Sequence, residues 1–486
     1  MKTKQFRNPM FVSTFFGHSP FSALPTWMII TLITIQSVPG GAGEERLFTI
    51  PPACDMPSLT LSDSGTHWAA LSRQAGSVSV LVDGEIKGTF KEVGPIVFGP
   101  LGSQVFYCAQ EEDGRYSLVA GSSRMEPPFA VLPDRCTAFF SDDGSSCGLG
   151  LTELITDAKG EKGPGRYGVV WNAKWLGVWQ EVTYPVVSLD GKHVAFFVCD
   201  GNRMQIIVDG VPKESMAVPE NTMRIKDNST GVVSVMFSKP KIVWLQDNVL
   251  AYVGPCPKGW CVSKGGQTLA EYPCLDWSGG NALYSEPVGQ TGAAIYSTSL
   301  TTSSDGAGLV WWVCERIEGK KVWKVMGENG PTGITTEMDP SWNPARPSLW
   351  LASDGRTITY VGGQTGRSTI CRGDWKSSAF EIVGPPVFSP DGQKVAFTAQ
   401  EKNTLVKVVG DQRVGSRYTS TGLAVFSPDS QRLAYRAKMK AGWHVVVEGK
   451  EGKSYDQILS GPVFDKAGRM SYVARQGADV FLLSED

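Results

Sequence analysis

The chain has 486 residues, 41% hydrophobic and 19% charged, which supplies a large core and excludes a disordered polymer. Lys and Arg number 46 against 48 Asp and Glu, with no long basic run, which excludes recognition of a nucleic-acid backbone by charge. The 55 glycines and 30 prolines are spread along the chain, as many tight turns between many short strands require.

Residues 1–43 read as an export signal or signal anchor. Lys2, Lys4 and Arg7 give a basic start, an apolar run covers 27–35, and small residues at 38–43 precede Glu44 and Glu45. The apolar run is short for a bilayer span, which favours cleavage over anchoring. No later stretch has spanning length, so 44–486 is expected as a repeat domain outside the cytoplasm, periplasmic or secreted. Ten cysteines follow: Cys54, Cys108, Cys136, Cys147, Cys199, Cys256, Cys261, Cys274, Cys314 and Cys371. In an oxidising compartment some should pair, and the best local pair is Cys256 with Cys261 across a hairpin-like Pro-Lys-Gly-Trp. Free cysteines acting as small apolar fillers are the alternative. No CxxC pair or Cys/His zinc spacing occurs.

Arg46-Leu-Phe-Thr-Ile50 reads as a strand without a partner, stopped by Pro51 and Pro52. A unit of strand, tight turn and strand then recurs, first at Leu61-Ser-Asp-Ser-Gly-Thr-His-Trp-Ala-Ala70 and Phe98-Gly-Pro-Leu-Gly-Ser-Gln-Val-Phe-Tyr107. It returns at Phe140-Ser-Asp-Asp-Gly144 and Val187-Ser-Leu-Asp-Gly-Lys-His-Val-Ala-Phe196. Units around Asp247 and Trp277 are weak, and 214–240 and 285–306 read as insertions. Beyond Ala352-Ser-Asp-Gly-Arg-Thr-Ile-Thr-Tyr360 the signal is clearest. Val387-Phe-Ser-Pro-Asp-Gly-Gln-Lys-Val-Ala-Phe397 repeats 38 positions later as Val425-Phe-Ser-Pro-Asp-Ser-Gln-Arg-Leu-Ala-Tyr435, and after 38 more as Val463-Phe-Asp-Lys-Ala-Gly-Arg-Met-Ser-Tyr-Val473. A fixed period of this length marks a repeat architecture.

Asp-Gly suits the turn, because Gly reaches positive φ and Asp bonds its own backbone. The following apolar alternation is that of a strand. A third strand ends in a second turn at Val80-Leu-Val-Asp-Gly84, Ile206-Ile-Val-Asp-Gly210 and Val445-Val-Val-Glu-Gly449, before a fourth, outer strand. Four antiparallel strands make a propeller blade. The chain is expected to be all-β, with about eight to ten blades or two smaller propellers in tandem, and no amphipathic helix. Its last unit stops one strand short after Asp479-Val-Phe-Leu-Leu483, and Arg46-Leu-Phe-Thr-Ile50 is expected to complete it and close the ring.

The Phe-Ser-Pro-Asp-Gly-x-x-Val-Ala-Phe unit resembles the repeat of TolB-like, or WD40-like (PD40), β-propellers. The resemblance is specific over 385–475 and 184–210 and poor over 211–340. It implies an extracytoplasmic, non-enzymatic scaffold that binds a protein or cell-envelope component through a rim or the central channel. The loop-rich insertions between 211 and 306 are the expected recognition surface. The alternative is a carbohydrate-active or other hydrolytic or lyase propeller with carboxylates at the channel mouth. Some propellers of this type precede a serine-hydrolase domain, whereas this sequence stops with its last blade.

Residues able to carry chemistry are few. Gly144-Ser-Ser-Cys-Gly148 spells the Gly-x-Ser-x-Gly elbow, but that motif needs a strand-to-helix turn and here falls in a blade turn. His18 lies in the presumed signal, leaving His67 and His193 at equivalent repeat positions and His444, too few for a multi-histidine metal centre. Asp142, Asp143, Asp190, Asp354, Asp391 and Asp429 recur in the turns, where a ring of carboxylates can bind cations or sugars, although turn formation is the commoner role. Ser62-Asp-Ser-Gly-Thr-His-Trp68 resembles the Asp-box of sialidase-like propellers, with Leu61 where that motif has Ser. Arg372-Gly-Asp374 spells an integrin-recognition tripeptide where a third-strand turn is expected. Trp171, Trp175 and Trp179, and Trp311, Trp312 and Trp323, are expected mostly to pack between blades. No residue is assigned a catalytic, cofactor-binding or metal-binding role.

Overall fold

A computed structural model of the chain describes residues 43–50, 54–62, 65–156, 162–200, 203–217, 224–226, 233–235, 241–272, 274–275, 294–295, 299–303, 305–317, 320–337, 349–352, 354–364 and 366–485. Each repeat unit forms one sheet, and there are ten, antiparallel throughout except where Cys274–Leu275 pairs parallel with Ala294–Ile295. They cover 54–90, 92–125, 137–179, 181–217, 241–272, 274–336, 349–376, 382–418, 420–451 and 457–485, numbered blades 1 to 10 below. The chain is a ten-bladed β-propeller. The expected signal, except Gly43, and the weak unit at Trp277 lie outside the described residues, as does most of both insertions.

Blade 8 illustrates the plan. Ile382–Val383 and Val387–Phe388 form its first strand in two pieces, followed by Val395–Glu401, Thr404–Val409 and Gln412–Tyr418, each paired with the one before. The first strands of neighbouring blades touch at the 1–2, 4–5, 5–6, 6–7, 8–9 and 9–10 junctions, so the first strand lines the channel and the fourth is outermost. Second strands are buried on both faces. Val194 to Cys199 are all buried, which explains unbroken apolar runs where a one-sided strand would alternate. Trp311, Trp312 and Trp323 are fully buried between blades; Trp171 is buried, and Trp175 and Trp179 are half-buried against Phe129 and Phe196.

The first strand is broken in a repeated way. Val93-Gly-Pro95, Val182-Thr-Tyr-Pro185 and Val383-Gly-Pro385 interrupt it between its two pieces. Pro has no N–H to give the ladder, so the break is intrinsic to these residues. Side chains take over some of the lost pairing: Ser58 Oγ accepts from Leu71 N–H at 2.8 Å, Thr183 Oγ1 from Phe197 N–H at 2.9 Å, and Ser299 Oγ from Trp312 N–H at 2.8 Å.

The ring closes as expected from the unpaired strand. Gly43–Thr49 runs antiparallel to Asp479–Glu485, from Gly43 opposite Ser484 to Thr49 opposite Asp479, and supplies the outer strand of blade 10. Phe48 then stacks on Trp68 of blade 1 at 4.9 Å, and Lys453 Nζ donates to Glu44 at 2.9 Å.

Two expectations are corrected. Cys256 and Cys261 are not bonded: each faces a glycine (Gly259 and Gly254), and the two pairs lie two register steps apart with Pro255 opposite Trp260 between them. The disulfide is Cys108–Cys136, with a Cα separation of 6.3 Å, tying the second strand of blade 2 to the lead-in of blade 3. The second correction concerns blade 6. Its turn is Ser303-Ser-Asp-Gly306, the end of the segment read as an insertion, and the strand Leu309–Ile317 follows it directly.

A chain lacking 43–49 is predicted to melt several degrees below the full chain, since the edge of Asp479–Glu485 and the Phe48–Trp68 contact are both lost. An unchanged melting temperature would contradict closure by this strand.

Candidate functional site

In each blade the turns after the first and third strands emerge on one face of the ring, the turn face. The second-to-third hairpins and the connections between blades emerge on the other. Most of the candidate residues stand on the turn face.

Ser389 shows what the turn does. Its N–H donates to Lys394 O at 3.0 Å, its Oγ donates to Asp391 Oδ1 at 2.5 Å, and its Oγ accepts from Lys394 N–H at 2.8 Å. Asp391 Oδ1 also accepts from Gln393 N–H at 2.9 Å. The pattern recurs at Ser141 and Asp143, Ser188 and Asp190, Ser303 and Asp305, and Ser427 and Asp429. In blade 7, where Ala352 replaces the serine, Thr357 Oγ1 donates to Asp354 Oδ2 at 2.5 Å. These hydroxyl and backbone bonds hold the six carboxyls below the usual carboxylate range. Asp142 is exposed beside Asp143. The carboxylates thus stand at the channel mouth, one to a blade, each bonded within its own turn, and Asp190 Oδ2 also accepts from Asn248 Nδ2 of the next blade at 3.0 Å. Among the described residues no group of three His, Cys, Asp or Glu side chains could hold a metal ion.

The histidines do not converge. His67 Nδ1 lies 2.7 Å from Asp83 Oδ2, while Trp68 N–H donates to Asp83 Oδ1 at 2.9 Å. His193 repeats this three blades on, with Asp209 Oδ2 at 2.7 Å and Val194 N–H donating to Asp209 Oδ1 at 2.9 Å. Both pairs tie a blade's two turns together. His444 is buried in blade 9 and contacts Gly452 O through Nδ1 at 2.9 Å. Ser146, the serine of Gly144-Ser-Ser-Cys-Gly148, is buried; its N–H donates to Ser141 Oγ at 2.9 Å, and the strand Cys147–Thr156 follows it, where the elbow needs a helix. Arg372 of Arg372-Gly-Asp374 spans two blades, donating to Gly392 O at 2.5 Å with its guanidinium 5.4 Å over Phe388. Asp63 and Ser64 of the Asp-box-like segment lie outside the described residues.

Three features escaped sequence reasoning. Lys394 and Arg432, at equivalent repeat positions, reach the next blade's turn through Ser430 O at 2.8 Å and Gly468 O at 3.2 Å. Their shared Gln-Lys and Gln-Arg context was the available signal. Second, the inner wall exposes apolar side chains on an arc from blade 8 to blade 2: Ile382 (36%), Leu423 (41%), Met56 (37%) and Val97 (37%). Third, a shallow open cleft lies between blades 3 and 4, lined by Arg135, Thr137, Tyr167 and Tyr184.

The long connections 218–240 and 338–348 each run from a fourth strand to the next first strand, so they depart from the face opposite the aspartates, whereas 276–293 lies within blade 6, between Cys274–Leu275 and the parallel strand Ala294–Ile295. The first two flank blades 5 and 6.

No family model and no curated protein matches the chain. Among solved structures it is similar to the Dos1 propeller, 9% identical, covering 91% of this chain and 94% of that one with a TM-score of 0.31. It is similar also to the β-propeller domain of the trilobed protease from Pyrococcus furiosus, 15% identical, covering 69% and 100% at 0.29. Dihydro-heme d1 dehydrogenase NirN in complex with DHE is 11% identical, covering 72% of each chain at 0.32. None of these bears on what this chain binds.

Blades 8 and 9 enclose one basic group. Lys407 is 1% exposed and donates from Nζ to Thr398 Oγ1 at 2.6 Å and Gly422 O at 2.8 Å, with Nζ 5.0 Å from the Tyr435 ring centre. Burial pushes its ammonium down to about 7. In the unfolded chain the value is about 10.4, so between the two the unfolded state binds more protons and stability rises with pH. Lys407→Met is predicted to remove that slope, raising the melting temperature most near neutral pH and least in alkali. Parallel pH profiles of the two proteins would contradict this.

Proposed function

We propose that this chain is an exported, non-enzymatic scaffold of the TolB-like, WD40-like repeat type that recognises a protein or cell-envelope component. The observation that carries the reading is the division of labour between the two faces. The turn face spends its carboxylates and two of its histidines on its own bonds. The opposite face gives rise to the long connections 218–240 and 338–348, segments suited to carry specificity on a rigid scaffold. The apolar arc on the inner wall adds a surface suited to an apolar partner segment. Export is supported by the basic and apolar order of the first 43 residues and by the Cys108–Cys136 disulfide. A hydrolase needs two or more acidic groups converging in one cleft; the turn carboxylates are instead distributed one turn to a blade.

Cross-linking mass spectrometry of the full chain in its native cells tests the reading. Partner cross-links are predicted at Lys258, Lys402 and Lys440, whose hairpins share the face of the long connections, and not at Lys174, Lys192 or Lys466 on the turn face. Cross-links confined to the turn face would overturn the choice of surface. Glycan turnover abolished by Asp→Asn substitutions in the turns would overturn the scaffold reading itself.

A further inference from the structure

The fourth residue of each blade's second strand fills the gap to the next blade. Phe197 packs edge-on against Tyr252 of blade 5 and Trp312 against Tyr360 of blade 7, each pair with ring centres 5.8 Å apart. Arg436 of blade 9 donates to Ile458 O of blade 10 at 3.3 Å. Leu71, Val253, Val361 and Val473 stand at the same position in blades 1, 5, 7 and 10. In blade 3 alone it is a glycine, Gly150. The backbone does not call for one: its φ is outside the left-handed region, and an added Cβ would meet only Thr137 O, at 3.8 Å. What the glycine does is leave one side chain's worth of space, and the cleft between blades 3 and 4 lies there.

Strand register gathers a specific set of groups around that space. Thr137 and Val169 lie directly opposite Gly150, and Tyr167 lies opposite Thr152 two residues on, so all share one face of blade 3. Val182, Tyr184 and Pro185 of blade 4 make the facing wall. Arg135 completes the lining and is exposed. Its backbone is held in place: its N–H donates to Leu132 O at 3.0 Å, and the next residue, Cys136, is bonded to Cys108. Among the described residues, no ion pair or hydrogen bond engages the Arg135 guanidinium or the Tyr167 and Tyr184 hydroxyls. Burial pushes both phenols up, so they stay neutral donors at physiological pH. The cleft thus joins an apolar slot to one unmatched cation and two unmatched donors.

We propose that this cleft binds the C-terminal residue of a partner protein, its aliphatic side chain in the space that Gly150 leaves and its carboxylate on Arg135, Tyr167 and Tyr184. A guanidinium and a carboxylate match in charge and in planar, two-point geometry. One arginine with no second cation in the lining suits a single negative charge rather than a phosphate. An acidic side chain would satisfy the guanidinium and leave the slot unfilled, whereas a C-terminal leucine or valine carries both groups on one carbon. Nine blades fill this position with a side chain of their own, and the partner supplies the tenth. A protein partner is taken from the scaffold reading, which the cross-links test separately, so failure of the one is distinct from failure of the other.

The test is isothermal titration calorimetry of the full chain with an acetylated peptide ending in leucine, as the free acid and as the C-terminal amide. The acid should bind, and the amide should bind about tenfold more weakly, the loss expected for one charge-assisted contact. Arg135→Gln should weaken the acid by about the same factor and leave the amide unchanged. Gly150→Val should abolish binding of the acid while the melting temperature holds or rises, since valine already occupies this position in blades 5, 7 and 10. Arg135 is exposed, so its variant decides the matter even if Gly150→Val fails to fold. No heat from the acid at millimolar concentration, equal binding of acid and amide, or unchanged affinity in either folded variant would overturn the inference.

Discussion

A serine hydroxyl shared between an aspartate and a backbone amide is the interaction on which this ring depends. In blade 8 Ser389 Oγ donates to Asp391 and accepts from Lys394 N–H, fixing the reversal between the innermost strand and its neighbour. Each such bond is worth about 1 kcal/mol net, more where a carboxylate is the acceptor. The same turn sets the distance between blades. Gly191 has φ +72°, and a Cβ there would lie 3.0 Å from Ser141 Cβ of blade 3. Glycine is thus needed twice, for the left-handed backbone and for the approach of the neighbouring turn. Lys394 and Arg432 extend the interlock by reaching the next blade's carbonyls.

This explains why acidic residues gathered at a channel mouth need not form a binding site. Their lowered protonation comes from the hydroxyl and amide donors of their own turns, a structural cause. His67 and His193 follow the same logic, each joining a blade's first turn to its second through an aspartate with φ near +50°.

Much of the fold was legible because the turn is encoded locally. Ser-x-Asp-Gly followed by an apolar triplet identified most blades, and an unpaired strand near residue 46 pointed to its place beside Asp479–Glu485. Ser303-Ser-Asp-Gly306 carries the same code but was hidden, since the strand after it begins Leu309-Val-Trp-Trp312 in place of Val-Ala-Phe. The disulfide was not legible because strand register and blade packing, not spacing, bring Cys108 to Cys136 across 28 residues. Lys407 was equally hidden: a single lysine in Thr404–Val409 gives no sign that it points at the next blade. For the candidate site, the turn residues could be placed from sequence, but the apolar inner wall could not. That wall depends on which strand is innermost and where proline breaks it.

The central claim is one continuous ring of ten blades, interlocked by these turns and closed by the first described strand. Cryo-electron microscopy of the full chain tests it most directly. The account predicts a single closed ring around one channel, with density for Gly43–Thr49 outside Asp479–Glu485 in the last blade. Two separate smaller rings, or a ring open beside that blade, would contradict it.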